Sequence, residues 1–379
     1  MSDLIKNNLI KKNLIKNNLI KKNLIKKNLI RKDKISKVIK VIKVNSILTD
    51  NEIEKKAGSY FPESHYKKII NTNCDVYGIL EDGTEKLLLK FRKNVIPNNI
   101  CKNAFLALVK HAQHKNYNRG AAAGKLNIKK LPKYIGKITK KDCFRIFYNT
   151  RAGKKTKDNV GNMAMSNIAG YYDKPDRNEY MNRNRKTKKQ THQNSKSGKK
   201  SKSSKSSKNS KSGKSGYDMY GIPLCRTTQF TANEIEKWNN TIPLIKEADK
   251  QFKQLIPNRH QIQLARAQNT PKYQIENTAY STITLNYDWR TACHKDKGDL
   301  EEGFGNLIVL EKSQSIPGSC KSFRGGYLGF PKWGIAVDVR QGDFLAMDVH
   351  EFHCNTPIEG TGRLSIVCYL RKNMIKCSR

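Results

Sequence analysis

Three clusters in the last third of the chain carry residue types that do chemistry. They are His294-Lys295-Asp296, Asp348-Val349-His350-Glu351-Phe352-His353, and Arg363-Leu364-Ser365. Alternate residues of a strand share a side, so a His-x-Asp pair on a strand converges while Cys293 and Lys295 point away. Two histidines and one carboxylate bind Fe(II) on one triangular face and leave three positions open for substrate and O2. The third ligand should come from a later strand end, where both His350 and His353 stand. Any one of these histidines alone reads as a satisfied polar core residue. The combination, with an arginine opening the next strand, supports the metal reading.

That next strand has two unlike faces. Arg363, Ser365, Val367, Tyr369 and Arg371 share one, and Leu364, Ile366, Cys368 and Leu370 share the other. The second is a packing surface. The first presents two guanidiniums, a hydroxyl and a phenol over about 20 Å from Arg363 to Tyr369. That length accommodates a small dicarboxylate, an iron and a flat aromatic substrate in turn, although a half-buried strand with a wet outer face shows the same alternation. A guanidinium inside a barrel suits a carboxylate, because it offers permanently charged, bidentate donors.

The elements that must position these groups are short. After Pro271 the pattern predicts strands over 281–287, 306–310, 334–339, 343–348 and 363–370. Gly298, Gly303, Pro317-Gly318, Gly325-Gly326, Gly342 and Gly360 separate them. Short strands with dense turn signals indicate a β-barrel or a double-sheet jelly roll. Thr231 and Glu234 form a capping box that predicts a helix to Trp238, and a second helix is expected over 243–255. Upstream, residues 84–92 have strand character, 104–112 read as a buried helix, 118–124 as a small-residue loop, and 166–173 as a strand entering a turn. The fold class expected is α+β, a double-stranded β-helix (jelly-roll) barrel with flanking helices and disordered basic segments.

Four regions follow. Residues 1–45 are a basic tail with a six-fold pentapeptide repeat, whose period of five holds neither a helical nor a strand face. The run 35–44 reads as the first ordered strand or helical turn. Residues 46–180 are the N-terminal part of the catalytic region, 181–216 a Lys/Ser-rich linker unable to offset its ordering entropy, and 217–379 the jelly-roll core.

Charge follows this division. The chain carries a net +42, yet residues 217–379 hold 21 Lys+Arg against 17 Asp+Glu. The first 216 residues hold the other 53 basic and 15 acidic residues, a distribution that points to a polyanion, nucleic acid by default. Compositional bias of an AT-rich genome also yields lysine and asparagine. Nine irregularly spaced cysteines without a C-x-x-C argue against a disulfide framework and a structural zinc site. They suggest a reducing, intracellular compartment such as a nucleus or a viral factory. No apolar run is long enough to predict a membrane span.

The stretches NTAYSTITLNYDWRTACHKDKGD, GGYLGFP, VRQGDFLAMDVHEFHCNTPI and GRLSIVCYLR resemble the TET/JBP dioxygenases, nearest the J-binding-protein thymine hydroxylases. The resemblance covers residues 220–371 and extends weakly to NRGAAAG and SNIAGYYD. It implies Fe(II) held by His294, Asp296 and His353, with 2-oxoglutarate and O2 as co-substrates. His353 is preferred to His350 because it precedes Asn355-Thr356-Pro357. The resemblance further implies that Arg363, with Ser365 beside it, binds the 2-oxoglutarate carboxylate, and that Tyr369 stacks on a flipped base. Asp299 and Arg371 fall where the TET branch uses other residues to read cytosine. The activity implied is hydroxylation of the thymine C5-methyl in DNA, single-stranded or flipped from a duplex; a monomer is expected. The rivals are a 5-methylcytosine oxidase on DNA or RNA, a non-catalytic nucleic-acid-binding module, and a 2-oxoglutarate hydroxylase of proteins or small molecules.

Overall fold

The computed structural model describes residues 39–151, 155–174, 224–319 and 322–377, excluding the side chains of 155–158. The repeat of residues 4–32 and the linker 181–216 lie outside the described residues.

Two sheets face each other. The larger runs from edge to edge through Lys40–Asn45, Cys74–Ile79, Glu85–Arg92, Phe344–Met347, Gly305–Glu311, Arg363–Tyr369, Thr282–Tyr287, Ser166–Tyr172 and Arg226–Thr227. The smaller runs through Cys354–Asn355, Leu328–Phe330, Ile335–Val337 and Lys68–Ile70. Leu307, Val309, Leu345, Met347, Leu89 and Phe91 of the large sheet pack against Leu328, Phe330, Ile335 and Val337 of the small one. The arrangement is that of a jelly roll, and the barrel is not closed.

The opposite face of the large sheet is covered by the helices Asn98–Ala112 and Ile235–Leu255. Phe105, Leu108, Ile245 and Phe252 meet Ile283, Ile308, Leu364, Ile366 and Cys368 there. A sheet covered on both sides has fully buried central strands, as Thr282–Tyr287 and Gly305–Glu311 are. The edge strand Lys40–Asn45 buries only Ile42 and exposes lysines, which discourages further pairing.

Several local expectations change. Thr231 is not a helix cap. Thr228 caps a short helix Gln229–Asn233, and the Thr231 hydroxyl accepts from the Gly170 amide at 2.7 Å. The two helices expected on either side of Pro243 form one, Ile235–Leu255. Proline lacks an amide donor and disrupts a helix interior. Here Trp238, Ile242, Leu244 and Ile245 on both sides of it are buried in one core, so packing outweighs the lost bond. Cys225 and Cys377, 152 residues apart, form a disulfide with Cα atoms 5.8 Å apart, a pairing that irregular spacing could not reveal. No helix among the described residues is long and apolar enough to cross a membrane.

Candidate active site

A cleft of about 360 Å³ opens between the two sheets, within the usual size range of ligand sites. One wall is the strand Arg363–Tyr369. Its alternate residues Arg363, Ser365, Val367 and Tyr369 face the cleft, with Arg371 just beyond, while Leu364, Ile366 and Cys368 enter the helix-covered core. The register sets Ser365 opposite Asn286 and Tyr369 opposite Thr282. Thr284 and Tyr369 hydroxyls lie 3.1 Å apart, and the Asn286 amide donates to Ser365 Oγ at 3.4 Å.

His294, Asp296 and His353 come together at the other wall, with their ligating atoms all within 4.8 Å of one another. Asp296 Oδ1 lies 3.5 Å from His294 Nε2, and Oδ2 lies 3.7 Å from His353 Nε2. The His-x-Asp segment is not the regular strand expected. It is a loop with one isolated bridge, His294 opposite His353. The side alternation survives for Cys293, which is buried against Ile53, Phe61 and Tyr66. Lys295 instead sits over the Phe352 ring at 4.5 Å and also lines the cleft.

The donor set fits a metal ion. His294 Nδ1 donates to the Ala292 carbonyl at 2.7 Å and His353 Nδ1 to the Glu351 carbonyl at 2.9 Å. Each ring therefore carries its proton on Nδ1 and turns the Nε2 lone pair toward Asp296, the outer hydrogen bond typical of metal-binding histidines. Burial, and then the adjacent His353 ring, pull His294 down to about 4, so it is neutral as a ligand must be. His350 stays outside the cluster. Its Nδ1 faces Asp348 at 3.4 Å, and that carboxylate raises its pKa.

Arg363 is the largest fully buried side chain among the described residues, 1% exposed, and its Nε and Nη1 have no hydrogen-bond partner among them. Burial pulls it down to about 10, and the nearby Arg340 adds to that. A buried guanidinium with two free donors demands an anion. Gly326, at φ +66°, makes the space: a Cβ there would stand 2.9 Å from Arg363 Nε.

Arg371 is held differently. Its Nε donates to Asp173 at 2.5 Å, its Cζ lies 4.6 Å over the Tyr172 ring, and its terminal nitrogens lie by Gly298 in the cleft. Asp299, bridged to Arg371 through the main chain, also lines the cleft. Burial, and then the Asp296 carboxylate, push Asp299 well above the usual carboxylate range. Burial and Asp299 push Tyr369 up to about 12.

The sequence reading missed Arg119, Tyr172, Asp173 and Trp289. Asn118, Arg119 and Ala122 line the cleft from the small-residue loop, where the Ala122 carbonyl accepts from the Ala292 amide at 2.9 Å. The weak extension of the resemblance to NRGAAAG and SNIAGYYD was the available signal.

The jelly roll thus brings two histidines, a carboxylate and a buried arginine to one cleft, the donors that an iron ion and a dicarboxylate would need. Residues 215–372 match the Tet_JBP family model, the oxygenase domain of the 2OGFeDO superfamily. The superfamily uses Fe(II), 2-oxoglutarate and O2.

Relatives include thymine dioxygenase JBP1-B of Trypanosoma cruzi, 34% identical over 41% of this chain and 18% of that protein. The bifunctional helicase and thymine dioxygenase JBP2 of Leishmania braziliensis is 35% identical over 40% of this chain and 13% of that protein. The chain thus spans less than a fifth of the length of these relatives. A solved structure of NgTET1 in complex with 5mC DNA aligns over 89% of this chain and 83% of that one, at 12% identity and a TM-score of 0.42.

Proposed function

We propose that this chain hydroxylates the C5-methyl group of thymine in DNA, giving 5-hydroxymethyluracil. The supporting observation is the wall from Arg363 to Arg371, with a buried unpaired guanidinium at one end and a fixed donor at the other. It shares one cleft with His294, Asp296 and His353.

His294, Asp296 and His353 would hold iron, which with 2-oxoglutarate and O2 supplies the oxidising power to hydroxylate a C–H bond as 2-oxoglutarate becomes succinate and CO2. Arg363 receives the distal carboxylate of 2-oxoglutarate and Ser365 stands beside it. Duplex DNA buries the thymine methyl in the base stack, so the nucleotide enters flipped or from a single strand. Tyr369 offers the stacking surface. Arg371 offers only donors. Thymine presents the O4 acceptor beside its methyl, where cytosine presents an amino donor, so a fixed guanidinium favours thymine. The names of the relatives, thymine dioxygenases, support the same choice.

The test incubates the protein with Fe(II), ascorbate, 2-oxoglutarate and a duplex containing both thymine and 5-methylcytosine, then measures nucleosides by mass spectrometry. The expected product is 5-hydroxymethyluracil. Oxidised 5-methylcytosine alone would replace this reading with the cytosine one. Succinate formation with neither product would move the substrate outside these bases.

A further inference from the structure

We infer that the basic ribbon at residues 125–151 is the docking surface for the phosphodiester backbone of the DNA whose base enters the cleft. The inference rests on the nucleic-acid reading above and assigns it a place. Residues 125–151 contain nine Lys+Arg and one acid, Asp142. All nine basic residues are exposed. Asp142 pairs with Arg145 at 2.8 Å, which leaves eight cations with no carboxylate in the stretch. Lysine abundance alone does not produce this. On the helix Ile235–Leu255, Lys237, Lys246 and Lys250 pair with Glu234, Glu276 and Glu247. Within residues 125–151 the acids that balance lysines on that helix are missing but for Asp142.

The ribbon is also a separate structural unit. Ile135–Lys141, Ile146–Thr150 and Lys155–Val160 form a three-stranded sheet not hydrogen-bonded to the two main sheets. Its small core is Ile146, Tyr148 and Val160, with Tyr117, Leu126, Leu131, Ile135 and Ile138 packed against them. Tyr117 belongs to that core, while Asn118, the next residue, lines the cleft. Successive Cα atoms are only about 3.8 Å apart, so the core of this small sheet adjoins the cleft rim.

The junction is tied down. Asn162 Nδ2 donates to the Ala123 carbonyl at 3.0 Å and the Lys125 carbonyl at 2.7 Å, and the Gly161 amide donates to the Tyr117 carbonyl at 2.7 Å. A base held in the cleft therefore leaves its flanking phosphates beside a fixed group of exposed lysines that have no carboxylate partner among the described side chains. Each phosphate they neutralise releases a counterion, which stabilises binding at any sequence. Tyr134, 52% exposed among these lysines, adds an aromatic face.

The test replaces Lys129, Lys130, Lys133, Lys137, Lys140 and Lys141 by Gln in the full chain and measures duplex affinity across a salt series. Each lost phosphate contact lowers the slope of log K against log salt by about 0.9. The expected result is a slope smaller by about 2 or more and an affinity at least tenfold weaker at low salt. The melting temperature should stay unchanged, and replacing the same six lysines by Arg should keep the wild-type slope. An unchanged slope in the Gln variant overturns the proposal, as does a loss the Arg variant shares. An unchanged slope with a loss of binding to phosphatidylserine vesicles would assign the ribbon to a membrane surface and overturn it as well. The outcome separates from the base assignment: a reduced slope without 5-hydroxymethyluracil keeps the ribbon and rejects thymine, and product with an unchanged slope does the reverse.

Discussion

His294 and His353 stand directly opposite each other in one isolated antiparallel bridge, each amide donating to the other's carbonyl at 3.0 Å. Their ring centroids are 4.4 Å apart. Two backbone bonds thus bring together candidate ligands that lie 59 residues apart in sequence. The Asp296 amide donates to the Val349 carbonyl at 3.0 Å, so the turn before His353 also holds the carboxylate.

Because backbone bonds position the three groups, truncating one side chain should leave the scaffold intact. His294→Ala, Asp296→Ala and His353→Ala are each expected to abolish succinate formation from 2-oxoglutarate, with circular dichroism unchanged. His350→Ala should retain turnover. Activity in any of the first three variants would reject the iron assignment.

Arg363 is charged, buried and, among the described residues, without a partner at two of its nitrogens. A buried charge without a partner keeps a desolvation penalty of several kcal/mol that nothing offsets. Arg363→Met should therefore keep or raise the melting temperature without co-substrate while losing the stabilisation that added 2-oxoglutarate gives the wild type. Gly326→Ala should act on the same step from the other side, since its Cβ crowds Arg363 Nε. A rise in KM for 2-oxoglutarate of tenfold or more is expected, and an unchanged KM in both variants would remove Arg363 from that role.

Much of this wall was legible before any fold. A seven-residue strand with alternating polar and apolar residues has only one arrangement that buries the apolar set, and Leu364, Ile366 and Cys368 take it. The segment at 293–299 was less legible, because alternation cannot tell a strand from a loop pinned by one bridge. Asp173 and Tyr172 were not legible as partners of Arg371. Their contact spans 198 residues and depends on the pairing of Ser166–Tyr172 with Thr282–Tyr287. The resemblance chose His353 over His350, and no spacing rule could have done so.

Lys86 links the hairpin Cys74–Arg92 to the turn that carries His353. Its Nζ lies 2.5 Å from Glu351 and 3.0 Å from Asp348, and Trp333 Nε1 donates to Glu351 at 3.1 Å. Breaking a buried pair costs about 3–5 kcal/mol, and an exposed one about 0–1. With Lys86 36% exposed, Lys86→Met should cost about 2 kcal/mol, between those limits. The turn holds two of the three ligands, so Fe(II) affinity in an anaerobic titration should fall as well. Lower stability with unchanged metal affinity would confine Lys86 to the scaffold.

The Asp348–His350 pair gives the same turn a pH dependence. Hydrogen bonding to Asp348 raises His350 against the effect of burial. A base whose folded pKa is raised contributes its full stabilisation below the unfolded value, near 6.5, and loses it as pH rises through the folded value. The melting temperature of the wild type should therefore fall from pH 6 to pH 8 more than that of His350→Gln. Parallel curves would show that the pair does not stabilise the fold.

Arg371 is expected to set the choice of base through Asp173, which fixes the direction of its guanidinium. Asp173→Asn keeps the size of the side chain and removes the charge that holds Arg371 Nε. If the fixed donor reads the thymine O4, this variant should lose kcat/KM on thymine-containing DNA by about tenfold, roughly the 1.4 kcal/mol at the low end for a base-edge contact. Turnover of 2-oxoglutarate without DNA should be unaffected, since Asp173 pairs with Arg371 and is not one of the three candidate ligands. Arg371→Gln, which presents both a donor and an acceptor, should narrow the ratio of thymine to 5-methylcytosine oxidation. If that ratio is the same in wild type and both variants, base choice lies elsewhere on the cleft wall, and Asp299 and Trp289 are the next side chains to exchange.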